Sequence, residues 1–204
     1  MSGAPFGTKS GPSRRHRGGG QGATRTSKQA SGESGAEAAE TAQPRRGKMV
    51  IERRVKATLD EVWDRWTTGA GIESWWGPDG FLTRVNRLDI RPGGGFEYAT
   101  KAIEPAQIEA LKSAGLPMTS VGHVTYTEAE PLARLGYKVL VDYIKEVAPY
   151  EVSTLVELKK VPGGVVMVVT QDEMHNSDWT QMAAMGLDRQ INRLVEVLSG
   201  PPQE

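Results

Sequence analysis

No cysteine occurs in this chain of 204 residues, which excludes disulfides, thiolate metal sites and cysteine nucleophiles and removes any need for an oxidising compartment. No apolar run approaches the ~20 residues of a membrane-spanning helix. The first residues carry arginine and glycine in place of a signal peptide's apolar stretch, so a soluble cytoplasmic protein without membrane insertion is expected. Histidine is scarce, at three residues, and its spacing places no two on one helix or strand face. Neither a metal nor another cofactor is therefore expected. Nucleophile elbows and phosphate-binding glycine loops are also missing, so the sequence speaks to architecture more than to a reaction.

The net charge is formally zero, yet that balance hides two unlike parts. Residues 1–48 hold nine Lys/Arg against three Asp/Glu and one aromatic, Phe6, among Gly, Ser and Ala. Such a stretch cannot bury enough apolar surface to offset the cost of ordering it, and a disordered basic tail is expected. Its cations are scattered among Gly and Ser with no amphipathic face or interleaved aromatics, so nucleic acid is not an expected partner despite the sign of the charge. Met49, where the folded pattern begins, is a candidate for the true start of translation. Residues 49–204, with 16 Lys/Arg against 22 Asp/Glu, are long enough for one domain with its own core.

Along that domain, Met49 to Ala57 alternates as a strand and leads to Thr58 or Asp60, either of which can cap a helix carrying Val62, Trp63 and Trp66. A second short helix ends at Trp75-Trp76. From Leu82 the period becomes two, through Phe96 and Tyr98, then Val139, Val141 and Tyr143, then Val152 to Leu158, which predicts an antiparallel sheet with one buried face. Arg91-Pro92-Gly93-Gly94 and Val161-Pro162-Gly163-Gly164 supply hairpin glycines. Glu104 to Ala114 reads as a helical insertion between strands. Ser177 or Asp178 then caps a final helix to about Leu198, whose apolar stripe is Ala183, Leu187, Ile191, Leu194 and Leu198. Gly186 within it predicts a close backbone approach.

These elements, with RxVxATLDEVWDRWT, WWGPDGF, LDIRPGGGFEY and GLDRQINRLVEVL, resemble the family of homologues of the heat shock protein 90 ATPase activator's C-terminal domain. The resemblance spans Met49 to Leu198. It implies the START-like, or SRPBCC, superfamily and its α+β helix-grip fold, shared with birch-pollen allergen-like proteins: a curved antiparallel sheet around a long C-terminal helix, with two short helices after strand one. Gly186-Leu187 stands where the family pattern has Gly-Trp, which alters packing without altering the fold.

The resemblance also implies a hydrophobic cavity between sheet and final helix. Candidate ligand-binding residues are Trp75, Trp76, Phe96, Tyr98, His123, Tyr143, Met167, Trp179, Met182 and Met185, a mixture of rigid aromatics and adaptable thioethers that suits apolar guests. Core packing is the competing explanation for each. One of the two adjacent tryptophans is expected in the core and the other at the cavity mouth. His123 would serve as a base or an orienting group if it faces inward, whereas His175 is expected in a solvated loop and Arg189 in a structural ion pair. The leading expectation is a noncatalytic domain holding an apolar small molecule, a lipid or an aromatic. A protein-interaction module of cochaperone type comes second, and an enzyme of polyketide cyclase or aromatase type third.

Overall fold

The computed structural model describes residues 46–200, so the tail expected over residues 1–48 lies outside the described residues up to position 45. The described part runs β1 (Lys48–Val55), α1 (Leu59–Thr67), α2 (Gly69–Glu73), β2 (Phe81–Asp89), β3 (Gly95–Ala102), α3 (Pro105–Ser113), β4 (Thr119–Glu130), β5 (Arg134–Val141), β6 (Tyr150–Val161), β7 (Gly164–Asp172) and α4 (Ser177–Ser199). The strands form one seven-stranded antiparallel sheet in the order β1-β7-β6-β5-β4-β3-β2. Only β1 is out of sequence, and it closes the sheet's edge against the last strand.

The register assigns one face of every strand to the core. Ile51, Arg53 and Val55 stand opposite Val169, Met167 and Val165, Leu135 and Tyr137 oppose Val156 and Thr154, and Phe96 opposes Val124. Apart from Arg53 and Thr154 these are the apolar members of the period-two pattern, and all but Ile51 and Arg53 are buried. Bulges between Val85 and Arg87 and between Tyr126 and Glu128 break the ladder and bend the sheet. Both predicted hairpin turns form, with Gly93 at φ 80° and Gly163 at φ 79°, conformations that cost other residues steric strain.

Thr58 is the cap of α1: its side chain accepts from the Glu61 amide while Glu61 reaches back to the Thr58 amide. The insertion helix α3 forms as expected but buries no residue. The cap of α4 is Asn176, whose side-chain oxygen accepts from Trp179 N–H at 2.9 Å, in place of the expected Ser177 or Asp178. Leu187, Ile191 and Leu194 are the buried residues of α4 and join the main core cluster. At ~1.5–3 kcal/mol for each such side chain removed from water, they hold the helix by several kcal/mol as an upper bound. Arg53 from β1 adds polar fastening through Asp188 and, at 3.0 Å, Asn192.

Two expectations for α4 fail. A Cβ placed on Gly186 meets nothing within 4 Å, because this glycine faces away from the sheet. Arg189 is exposed and has no ion pair among the described residues; Arg193, one turn further on, has that role. Among the described residues no helix is long and apolar enough to cross a membrane.

Candidate functional site

Two apolar clusters occupy the inner face of the sheet. The larger joins Trp66, Trp75, Trp76, Phe96, Tyr126, Leu135, Val156, Met167 and the buried α4 residues. The smaller is Val141, Val152 and Met174, with Tyr143, Tyr150, Trp179 and Ala183 packed around it. Strand parity puts polar side chains between them: Thr154 lies between Val152 and Val156 on β6, and its cross-strand partners are Tyr137 on β5 and Gln171 on β7. The Thr154 hydroxyl reaches Gln171 Oε1 at 3.5 Å. A belt of hydroxyl and amide groups therefore crosses an otherwise greasy interior.

Tyrosine phenols continue the belt. Burial holds the Tyr98 hydroxyl above its ordinary pKa, with the Trp76 side chain offsetting part of the effect. Burial likewise raises Tyr137, against the Thr154 hydroxyl beside it. Tyr143 is pushed up to about 12, first by burial and then by its neighbours Tyr150, Tyr98 and Asp142. All three stay protonated at neutral pH, so they offer neutral O–H groups that donate and orient.

The Trp75-Trp76 segment forms one wall. Both tryptophans are buried, at 1% and 8% exposure, so the expectation that one lies at a cavity mouth is corrected. The segment is sandwiched between α1 and the sheet, and two side chains diverging by about 100° both find core there. Trp75 packs edge-on to Trp66 at 4.5 Å and donates its indole N–H to Arg65 O at 2.8 Å. Trp76 turns to the sheet, with ring centroids 5.1 Å from Phe96 and 5.9 Å from both Tyr98 and Tyr137. Arg193 on α4 clamps the segment by donating to Trp75 O at 3.2 Å, to Gly77 O at 2.9 Å and to Asp79.

Of the residues named from sequence, the structure thus gathers Trp75, Trp76, Phe96 and Tyr98 directly. Tyr143 and Trp179 meet each other at 6.3 Å at the smaller cluster. Met167 is fully buried in the core. His123 does not belong: it pairs with Glu97 on the outer face of the sheet and is exposed. Met182 and Met185 are 42% and 50% exposed on the side of α4 away from its buried stripe, and do not close a cavity. His175 lies in an exposed segment as expected, with Nδ1 at 3.0 Å from the Tyr150 hydroxyl.

Sequence reasoning missed Tyr137, Thr154, Gln171 and Tyr126. The signal for Tyr137 was present, since it shares the parity of Val139 and Val141 on β5. A second, open groove of about 580 Å³ lies where β1 meets α1, bordered by Lys56, Asp60, Leu132 and Lys160. Its charges balance, and its Glu61 is already committed to the Thr58 cap.

A curved antiparallel sheet gripping a long C-terminal helix, with two short helices after the first strand, defines the helix-grip class. Within it, the chain belongs to the family described as Activator of Hsp90 ATPase homolog 1-like protein, whose model matches residues 56–199. Solved structures agree on the fold. A crystal structure of a Chromobacterium violaceum protein is 18% identical with a TM-score of 0.61, over 76% of this chain and 98% of that one. A solution structure from Staphylococcus epidermidis is 18% identical with a TM-score of 0.59, over 80% and 96%. An Arthrobacter aurescens protein, also 18% identical, has a TM-score of 0.60 over 76% and 88%. Comparison with curated protein sequences returns no match.

Proposed function

We propose that the domain is a noncatalytic carrier or sensor that holds an apolar small molecule against the inner face of the sheet, under α4. The observation that carries this reading is the set of inward polar groups spread across the apolar interior: Tyr98 and Tyr137 in the larger cluster, Tyr143 beside the smaller, and Thr154 with Gln171 on the strands that join them. A few convergent polar groups within aromatic walls are the usual composition of a small-molecule site, where apolar area gives affinity and the polar groups give orientation. Burial moves the phenol pKa values further above neutral pH, which disfavours them as general bases. The family membership supports a ligand-binding kind of domain.

One observation favours a second reading, docking of a protein partner: the outward Met182 and Met185 form an adaptable apolar surface on α4. Native mass spectrometry of the purified full chain, followed by solvent extraction, tests the first reading. A stoichiometric extra mass that extracts as an apolar compound is the expected result. An empty protein that also takes up no small aromatic probe overturns it and turns attention to the methionine surface.

A further inference from the structure

The two edges of the sheet, β1 and β2, are finished differently. β2 is bulged between Val85 and Arg87, and the Glu73 carboxylate takes its Val85 N–H at 2.8 Å. Both devices hinder the addition of a further strand. β1 has neither. Its eight residues contain no proline and pair with β7 in an unbroken register, and no strand lies on its other side among the described residues. Near its middle stands Val50, 62% exposed. Antiparallel strands turn the backbone groups of alternate residues to opposite sides. Gly47 O accepts from Glu173 N–H at 2.9 Å, just past the end of β7, so Met49, Ile51 and Arg53, of the same parity, bond to β7. Lys48, Val50 and Glu52 therefore present their N–H and C=O groups to the open side. In agreement, Glu52 O is reached by Arg53 Nη1–H at 2.9 Å.

The order of side chains along this edge specifies what fits it. A strand pairing antiparallel with a copy of itself keeps the inner faces together only if the two-fold axis passes through a residue, and each choice sets different neighbours. With the axis at Val50, Lys48 faces Glu52 of the second copy on both sides of a Val50–Val50 contact. With the axis at Ile51, Lys48 would face Arg54; at Glu52, Glu52 would face itself; at Met49, Lys48 would face Val50. The Val50 axis thus matches the charges and puts the exposed apolar residue at the centre. Glu52 has no ion pair among the described residues, while Lys48 pairs with Asp172 of β7 and gains a second acid. The same register sets Arg54 opposite Arg46, but each guanidinium is turned to its own chain, Arg54 to Pro162 O and Arg46 over the Tyr150 ring at 4.3 Å. Arg53 meets Gly47, which has no side chain to obstruct it. Helix α4 reaches β1 at Arg53, about 10 Å along the strand from the axis, so the two copies of the helix stand on opposite sides of it. We infer that β1 is a homodimerisation edge, at which two copies of this chain join their sheets antiparallel about Val50 and each facing pair exchanges both backbone hydrogen bonds. A contact of one short strand falls below the ~1,200 Å² of a standard stable interface, so the dimer is weak and depends on concentration.

Sedimentation velocity on the full-length chain, from about 1 μM to about 1 mM, tests it. The wild type should pass from monomer to dimer across that range. Val50→Pro removes the N–H at the axis, on the side that β7 does not use, so the dimer should be lost while circular dichroism shows the fold retained. Glu52→Lys and Lys48→Glu each set like charges opposite one another and should weaken self-association by about 10-fold or more. Their equimolar mixture, in which both facing pairs are again opposite in sign, should restore the dimer. These charge variants carry the test if the proline variant unfolds. A monomer throughout the range overturns the inference, and so does a dimer that survives in folded Val50→Pro, is unmoved by the single charge changes or fails to return in the mixture.

Discussion

Replacing Arg193 with Met keeps the length and apolar stem of the side chain and removes its guanidinium. In the native chain that group donates to Gly77 O at 2.9 Å and Trp75 O at 3.2 Å through one nitrogen and pairs with Asp79 through the other. The two carbonyls belong to a wall whose tryptophans are buried, and charge-assisted hydrogen bonds of this type contribute ~1.5–3 kcal/mol each. Because one nitrogen serves both, roughly 2–4 kcal/mol is expected for the loss. The ion pair is a minor part, since the Asp79 side chain is 64% exposed and such pairs give at most ~1 kcal/mol. Urea unfolding followed by tryptophan fluorescence should therefore show a large fall in midpoint for Arg193→Met at constant slope, and a shift below ~1 kcal/mol for Asp79→Asn. If Asp79→Asn costs as much as Arg193→Met, the clamp is an ion pair and the carbonyl argument is refuted.

Three further outcomes follow from particular contacts. Glu73 accepts from Val85 N–H at 2.8 Å and from Arg84 at 2.6 Å, and these bonds, the amide first, hold its pKa below the ordinary value. A depressed folded-state pKa gives stability that is present above the unfolded value near ~4.3 and is lost as pH falls through the folded one. Glu73→Gln should thus flatten the acid limb of stability between neutral pH and about pH 3, and an unchanged acid limb would show that Glu73 does not contribute to it. Gly122→Ala would place a methyl 2.3 Å from Tyr98 Cζ, on a ring already packed by Trp76 and Phe96. Overpacking of ~1–3 kcal/mol is expected in thermal unfolding, relieved when Tyr98 is also changed to Leu; no relief in the double variant would contradict the contact. Asn176→Ala should cost about 1 kcal/mol as the true cap of α4 and Ser177→Ala less than ~0.5 kcal/mol, and the reverse order in denaturant midpoints would reassign the cap.

The sheet was legible because alternation and turn glycines are local signals: Phe96 and Tyr98, Val152 through Leu158 and the hairpins at Gly93 and Gly163 all form where their pattern placed them. The site was legible only in part, since it depends on which strands become neighbours. His123 illustrates the limit of treating a residue alone: Val124 and Tyr126 are the buried members of β4, and their parity sends His123 outward. Met182 and Met185 yield to similar arithmetic. At about 100° per residue they point some 140° and 160° away from Leu187, so apolar character alone misassigned them. Trp75 and Trp76 were misjudged for a different reason. Adjacent side chains cannot share one pocket, but a segment with core on two sides buries both, and only tertiary structure reveals the second side. Alternation with Val152 and Val156 turns Thr154 inward, but its pairing with Gln171 and the contacts of Arg193 carry no local signature, because those partners lie far away in sequence.

The distribution of anchors along α4 makes it a cantilever. Leu187, Ile191, Leu194, Arg193 and the Arg53 link to Asn192 all lie in its later turns, whereas the first turns rest on half-buried Trp179 and Ala183. Thermal bending of such a beam concentrates at its unclamped end, over the smaller cluster. Amide protons of α4 should accordingly exchange in a graded order, faster near Met182 and slower towards Leu194.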